Sequence, residues 1–118
     1  HEQRWETVSC EDAEIIVVAF GTAARIAKTA ITQARTKGLR AGLFRPITLF
    51  PYPARPLCKA ASGKRLLVFE LNAGQMLQDV QLATCGTVPI HFFGKTGGVV
   101  PLPEDVLEEI ESMAFDSD

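Results

Sequence analysis

Two histidines and three cysteines are all the imidazole and thiol chemistry that this chain carries. Cys85 and His91 lie near one another in sequence, as a nucleophile and its base can. Cys85, however, falls at the C-terminal end of an expected helix, where the dipole raises a thiol pKa and weakens the nucleophile. His91 sits inside the apolar run Val88 to Phe93 and reads as a core or edge histidine. Neither histidine is flanked by cysteines or clustered acids, so no zinc-type spacing exists. Gly94-Lys95-Thr96 has the ending of a phosphate-binding loop, but lacks that loop's upstream glycine, and Pro101 and Pro103 delay the helix that must follow. Gly21 is followed by Thr22, Ala23, Ala24, Arg25 and Ile26, without the further glycines of a dinucleotide fingerprint. A phosphorelay receiver needs acids near the ends of its first and third strands; Glu70 could supply one, but Ala19-Phe20-Gly21 supplies none. Glu70 itself stands out. A carboxylate directly after Leu66-Leu67-Val68-Phe69 closes an apolar strand, and buried charge is costly unless paired. It caps the next helix, pairs with a cation such as Arg45, or has a functional task.

The elements that position these residues alternate. Ile15 to Phe20 is a continuous apolar, β-branched run, the signature of a strand buried on both faces. Gly21 ends it, and Thr22 is placed to cap the helix that follows. That helix carries Ala23, Ile26, Ala27, Ala30, Ile31 and Ala34 at helical spacing and stops at Gly38. A second strand at 41–45 is broken by Pro46, and Thr48 to Tyr52 is an apolar loop bounded by Pro51 and Pro53. A short helix at 54–61 has Pro56 in its first turn. The third strand is 65–71. A helix over 74–85 presents Met76, Leu77, Val80 and Ala83 on one face, and the fourth strand is 88–93. The last helix, 104–113, turns Val106, Leu107, Ile110 and Met113 inward, with Glu104 and Asp105 at its positive end. Strand and helix alternating four times predict an α/β fold: a three-layer α/β/α sandwich around a mostly parallel sheet of four to five strands. Residues 1–12 are a lead-in or an edge strand, and 114–118 a frayed tail of this single domain.

Length and charge set the remaining bounds. A chain of 118 residues is one domain and long enough for a real core. Its 47% hydrophobic and 22% charged composition excludes disordered and low-complexity classes. No run is long enough to span a bilayer and no leader pattern opens the chain, so no membrane partner is expected. The odd number of cysteines, without metal spacing, reads as reduced thiols in a cytoplasmic protein. The first residue is His1 rather than Met, so the chain is expected to be processed, tagged or cut from a longer one. Ten cations and no acid lie between Ile15 and Phe69, whereas Glu104 to Asp118 holds seven acids and no base. The basic stretch suits a phosphate or an acidic partner, or a solvated face balanced by the acidic tail. Nucleic acid is not expected, since one Trp and one Tyr leave little to stack on bases.

In an open α/β sheet ligands meet the carboxyl ends of the strands. The unusual residues concentrate there: Gly21 and Thr22; Arg45, Thr48, Phe50 and Tyr52; Glu70, Asn72, Gly74 and Gln75; and Gly94 to Pro101. Leu49, Phe50 and Tyr52 are hard to bury in a small domain, so that loop is expected to pack on a neighbour, including as a homodimer contact. With the second and third strands flanking the first, roughly 9–10 Å apart at ~4.8 Å per strand, Arg45 and Glu70 are expected to meet over Gly21.

These same segments carry a resemblance. The order Val17-Val18-Ala19-Phe20-Gly21-Thr22, Arg45-Pro46-Ile47-Thr48-Leu49-Phe50-Pro51-Tyr52-Pro53, Leu67-Val68-Phe69-Glu70-Leu71-Asn72-Ala73-Gly74-Gln75-Met76 and Phe93-Gly94-Lys95-Thr96-Gly97-Gly98 with Pro101 resembles the C-terminal domain of the α subunit of thiamine-dependent 2-oxoacid:ferredoxin oxidoreductases. The Arg-Pro-Ile-Thr-Leu and Gly-Gly-Val-Val-Pro segments look most like the 2-oxoisovalerate (branched-chain) type, with the 2-oxoglutarate type as near alternative. The resemblance covers Ala13 to Glu111 and implies a transketolase C-terminal domain-like fold. It implies an enzyme complex that oxidatively decarboxylates a 2-oxoacid, passing the acyl group to coenzyme A and electrons through iron–sulfur clusters to ferredoxin. Thiamine diphosphate, magnesium and the clusters would be held by other domains of the same chain and by other subunits. This domain would assemble and frame the active site, with no catalytic, cofactor or metal ligand of its own. Two other readings compete: a stand-alone flavodoxin-like small-molecule binding module, with Gly21-Thr22 at a phosphate and Tyr52 or Trp5 on a ring, and a purely structural adaptor.

Overall fold

The structure, a computed structural model, describes residues 4–47, 54–70, 80–82, 84, 88–94 and 101–115. Five strands form one sheet: β1 (Trp5–Val8), β2 (Ile15–Val18), β3 (Ala41–Pro46), β4 (Arg65–Glu70) and β5 (Ile90–Gly94), in the order β1-β3-β2-β4-β5. The four strands β2 to β5 run parallel, and β1 adds antiparallel at the edge beyond β3. This is the expected order, with the lead-in segment supplying the edge strand. Three helices are described in full: α1 (Gly21–Thr36), α2 (Ala54–Ala61) and α3 (Pro103–Phe115). Residues 80–82 and 84 are also helical. They lie in the helix expected over 74–85, the remainder of which is outside the described residues.

The alternation of side chains along the strands divides the core in two. Ile15, Val17, Ala41, Leu43, Leu67 and Phe69 face α1 and α3. Ile16, Val18, Phe44, Leu66 and Val68 face α2 and Val80. Because β2 and β4 are buried on both sides, they read as unbroken apolar runs, each large side chain contributing about 1.5–3 kcal/mol from burial. α1 presents Ala23, Ala27, Ala30 and Ala34 to the sheet, and α3 turns in Val106, Leu107, Ile110 and Met113 as expected. β5 is the outer strand at the other edge, as the expected order requires, and His91 and Phe92 are exposed. His91 is therefore an edge histidine.

One expected cap is absent. Thr22 does not cap α1; the cap position is Phe20, with no side-chain hydrogen bond. Gly21 makes the turn in the left-handed region (φ 61°), so Thr22 is already inside the first turn, past the place where its hydroxyl could cap. At the other end the helix closes on Gly38 (φ 83°): the amides of Gly38 and Leu39 donate to the carbonyls of Arg35 and Ala34, each at 3.0 Å.

The amino ends of the strands are tied by cations. Arg35 donates to the carbonyls of Ala41 (2.8 Å) and Ser9 (2.8 Å) and pairs with Asp12 at 2.7 Å. Arg40 pairs with Glu14, and Lys37 with Glu111, each at 2.9 Å. Lys64 donates to the carbonyls of Cys10 and Glu11, and Arg65 to that of Met113. Over this end the β1–β2 connection presses on Gly42, where an added Cβ would lie 2.8 Å from the Ser9 carbonyl oxygen.

Candidate functional site

The chain leaves β2 to one side for β3 and returns to the other side for β4, so the carboxyl ends of β2 and β4 flank the switch point at which open α/β sheets bind their ligands. Gly21 and Thr22 follow β2 there, both exposed. Arg45 stands near the end of β3, Glu70 ends β4 and Gly94 ends β5. Thr48, Phe50, Tyr52, Asn72, Gly74 and Gln75, and with them the Leu49–Tyr52 loop and Cys85, lie outside the described residues.

Glu70 is only 1% exposed. It belongs to the set of even-numbered β4 positions that face α2, and it is engaged by the fold. Its register partner on β5 is Gly94, and the ring of Phe92 fills the space that a side chain at 94 would take. A carboxylate is thus enclosed at the switch point.

Arg45 does not join it. Its guanidinium pairs with Glu6 at 3.3 Å, across the antiparallel β1–β3 register in which Glu6 and Arg45 are opposite one another. The expected meeting over Gly21 fails for a reason of parity rather than distance. Val18 is level with both Phe44 and Val68, so Arg45 is one residue beyond that row and Glu70 two. Side chains one residue apart along a pleated strand point to opposite faces. Arg45 faces the α1 side and Glu70 the α2 side. The pairing residue that the sequence reading passed over is Glu6; the alternation in Trp5-Glu6-Thr7-Val8 was its signal, since an edge strand beside β3 puts an acid opposite Arg45.

On the α1 side of the same edge, Glu6, Ala24, Arg25, Lys28, Leu43 and Arg45 line a cavity of about 260 Å³. Arg25 and Lys28, exposed on α1 at i and i+3, and Arg45, two positions beyond Leu43 on β3, were not read as a group from sequence. At the opposite end of the sheet the Arg35 hydrogen bond holds the Asp12 carboxyl below the usual carboxylate range, and Asp12 in turn raises Arg35. Burial pushes the Cys10 thiol up, and it donates to the Leu43 carbonyl at 3.1 Å. Cys10 and exposed Cys58 are both free thiols. Among the described residues no three His, Cys, Asp or Glu side chains gather as a metal site, and no helix is long and apolar enough to cross a membrane.

The arrangement offers an enclosed carboxylate and a cationic face at the strand ends. Comparison with known proteins adds its kinship: residues 13–106 match the family model of the pyruvate:ferredoxin oxidoreductase core domain II. The chain belongs to this family. As a core domain II chain it is 39% identical over 118 residues to the ketoisovalerate oxidoreductase subunit VorB of Methanothermobacter thermautotrophicus, covering 99% of itself and 33% of that subunit. It is 36% identical over 104 residues to the 2-oxoglutarate synthase subunit KorA of Methanothermobacter marburgensis, covering 87% of itself and 28% of that subunit. The chain thus spans about a third of the length of the curated relatives it matches. Two solved structures share the fold. A 2-oxoglutarate:ferredoxin oxidoreductase from Magnetococcus marinus, with 2-oxoglutarate, coenzyme A and succinyl-CoA bound, superposes with TM-score 0.83 at 19% identity, over 94% of this chain and 20% of that one. A split-gene transketolase, an inactive β4 tetramer, gives TM-score 0.78 at 17% identity, over 92% of this chain and 40% of that one. The expected family and the transketolase C-terminal domain-like fold are both found.

Proposed function

We propose that this core domain II chain is the assembly and active-site-framing domain of a 2-oxoacid:ferredoxin oxidoreductase of the ketoisovalerate type. In that reaction the bond between C1 and C2 of the 2-oxoacid breaks, carbon dioxide leaves, the acyl group passes to the thiol of coenzyme A, and an electron pair passes to ferredoxin. The observation that carries the reading is the extent of the VorB match: 99% of this chain aligned to 33% of the relative. One domain-sized unit therefore corresponds to a part of a larger subunit. The branched-chain substrate rests on the same match, with 2-oxoglutarate as the alternative that the KorA relatives keep open.

Thiamine diphosphate with magnesium, and iron–sulfur clusters, would bring the decarboxylation and electron transfer. The donor set here does not fit them: the clusters need sets of thiolates, and among the described residues no group of three metal-ligating side chains is present. These groups belong to the remaining domains and other subunits. This chain's strand ends, with Gly21 and Thr22 exposed after β2, Glu70 enclosed at the end of β4 and the segment Asn72 to Gln75 that follows it in sequence, are the side that docks on them, in the cytoplasm. No observation favours a stand-alone flavodoxin-like binding module.

The test is reconstitution. The chain alone should neither oxidise a 2-oxoacid nor bind thiamine diphosphate with magnesium in calorimetry. Joined to its neighbouring domains and subunits, it should support coenzyme A-dependent reduction of ferredoxin, faster with 2-oxoisovalerate than with 2-oxoglutarate. Micromolar thiamine diphosphate binding by the chain alone would overturn the framing role, and a preference for 2-oxoglutarate would overturn the substrate type.

A further inference from the structure

The cations of the acid-free stretch Ile15 to Phe69 fall into two groups. Arg35, Lys37, Arg40, Arg45, Lys64 and Arg65 have acids or carbonyls recruited from other parts of the chain. Arg25, Lys28, Arg55 and Lys59 have no ion pair among the described residues, and of these four Arg25 and Lys28 line the cavity at the carboxyl edge together with Arg45. Helical spacing sets the first two on one face of α1, and the β3 alternation sets Arg45 on the same face of the sheet as Leu43. Glu6 holds Arg45 through one guanidinium nitrogen at 3.3 Å. A guanidinium has five N–H donors, so most of this fork remains available. Three cations against one carboxylate leave the lining with a net positive charge of two. α1 itself adds no acid in its first turn and no side-chain cap, so among the described residues Glu6 is the one acid that lines the cavity.

We propose that this cavity is a binding site for a phosphoryl group. A phosphoryl group carries a charge of about −1.5 to −2 near neutral pH and offers three acceptor oxygens, which match the net charge and the forked donors of two arginines. The volume of about 260 Å³ accommodates a phosphoryl group with room for a further small substituent. Ala24 and Leu43 form the apolar floor that keeps the cations apart from the core. The site needs only this chain, and stands whether or not the oxidoreductase reading does.

The probe is inorganic pyrophosphate, titrated at low salt into the chain, or into the longer polypeptide that carries it, and followed by amide chemical shifts. Saturable shifts are expected at Ala24, Lys28, Leu43 and Arg45. Arg25→Gln with Lys28→Gln removes two exposed charges without touching the core and should weaken binding by about tenfold or more, the scale expected for lost charge-assisted hydrogen bonds. Arg55→Gln with Lys59→Gln removes the same charge from exposed sites on α2 and should leave affinity within about twofold, as screening between distant surface charges requires. Glu6→Gln removes the one opposing charge and should tighten binding. Equal losses from both double variants would show net-charge attraction only and overturn the site. So would shifts that map elsewhere, or no saturation at about 10 mM, a concentration beyond useful affinity.

Discussion

The two ends of the parallel sheet use the same kinds of residue for different ends. At the amino end, Arg35, Arg40, Lys37, Lys64 and Arg65 are each matched to an acid or a backbone carbonyl. These contacts tie α1, α3 and the β1–β2 connection to the strand starts. At the carboxyl end, Arg25 and Lys28 have no ion pair among the described residues, Arg45 shares one edge carboxylate, and Glu70 is enclosed. Cations spent on carbonyls hold the fold, whereas cations left facing a cavity are available to a ligand. Substitutions at the first end should therefore move stability, and those at the second should move binding or assembly.

The largest loss is expected from Gly42→Ala. The new Cβ would meet the Ser9 oxygen at 2.8 Å and the Cys10 Cα and Val8 oxygen at 3.0 Å, all backbone, so no flexible side chain can give way. About 2–3 kcal/mol of unfolding free energy should be lost, within the range for overpacking, and urea denaturation measures it. Arg35→Ala comes next. It leaves the Ala41 and Ser9 carbonyls without their donor and should cost about 1–3 kcal/mol. If either variant reduced pyrophosphate affinity without reducing stability, the division between the two ends would break.

The pH dependence follows from Asp12. Its carboxyl titrates below the usual carboxylate range because Arg35 hydrogen-bonds to the ionised form. A group depressed on folding contributes stability above its unfolded pKa and loses it as pH falls through the folded one. Asp12→Asn should therefore be less stable than the parent at neutral pH, and the two should converge in acid, below the usual carboxylate range. Thermal melts across that range check the sign. Cys10 supplies a companion measurement: buried, with a raised pKa, it should resist alkylation at pH values where Cys58 is modified, until denaturant opens the sheet.

Much of this was legible in the chain. The runs Ile15 to Phe20 and Leu66 to Phe69 could only be strands covered on both faces, and the alanines of α1 marked a helix lying close to a sheet. The expected placement of the second and third strands on either side of the first is the one found. Thr22 misled because cap chemistry was read from residue type, while the left-handed Gly21 had already turned the chain. Arg45 and Glu70 misled because lateral spacing between strands is easily computed, but facing depends on register to a single residue. The cavity was invisible for the same reason: it joins α1 to β1 and β3, and β1 entered the sequence reading only as an edge strand in outline.

The smallest effect should come from the pair that replaced the expected one. Arg45 and Glu6 are 39% and 42% exposed, at 3.3 Å, on an edge strand. Partly exposed pairs contribute about 0–1 kcal/mol after screening and side-chain ordering, so a double-mutant cycle with Arg45→Ala and Glu6→Ala should return a coupling near the low end. Each single variant should melt close to the parent. Their effects on pyrophosphate should nevertheless be opposite in sign: loss of Arg45 removes a donor fork, and loss of Glu6 removes a competing charge. A pair nearly silent in stability yet antagonistic in binding is what distinguishes the carboxyl end from the amino end. A coupling of about 3 kcal/mol, the scale of a buried pair, would instead place Arg45 among the fold-holding cations and leave the cavity with Arg25 and Lys28 alone.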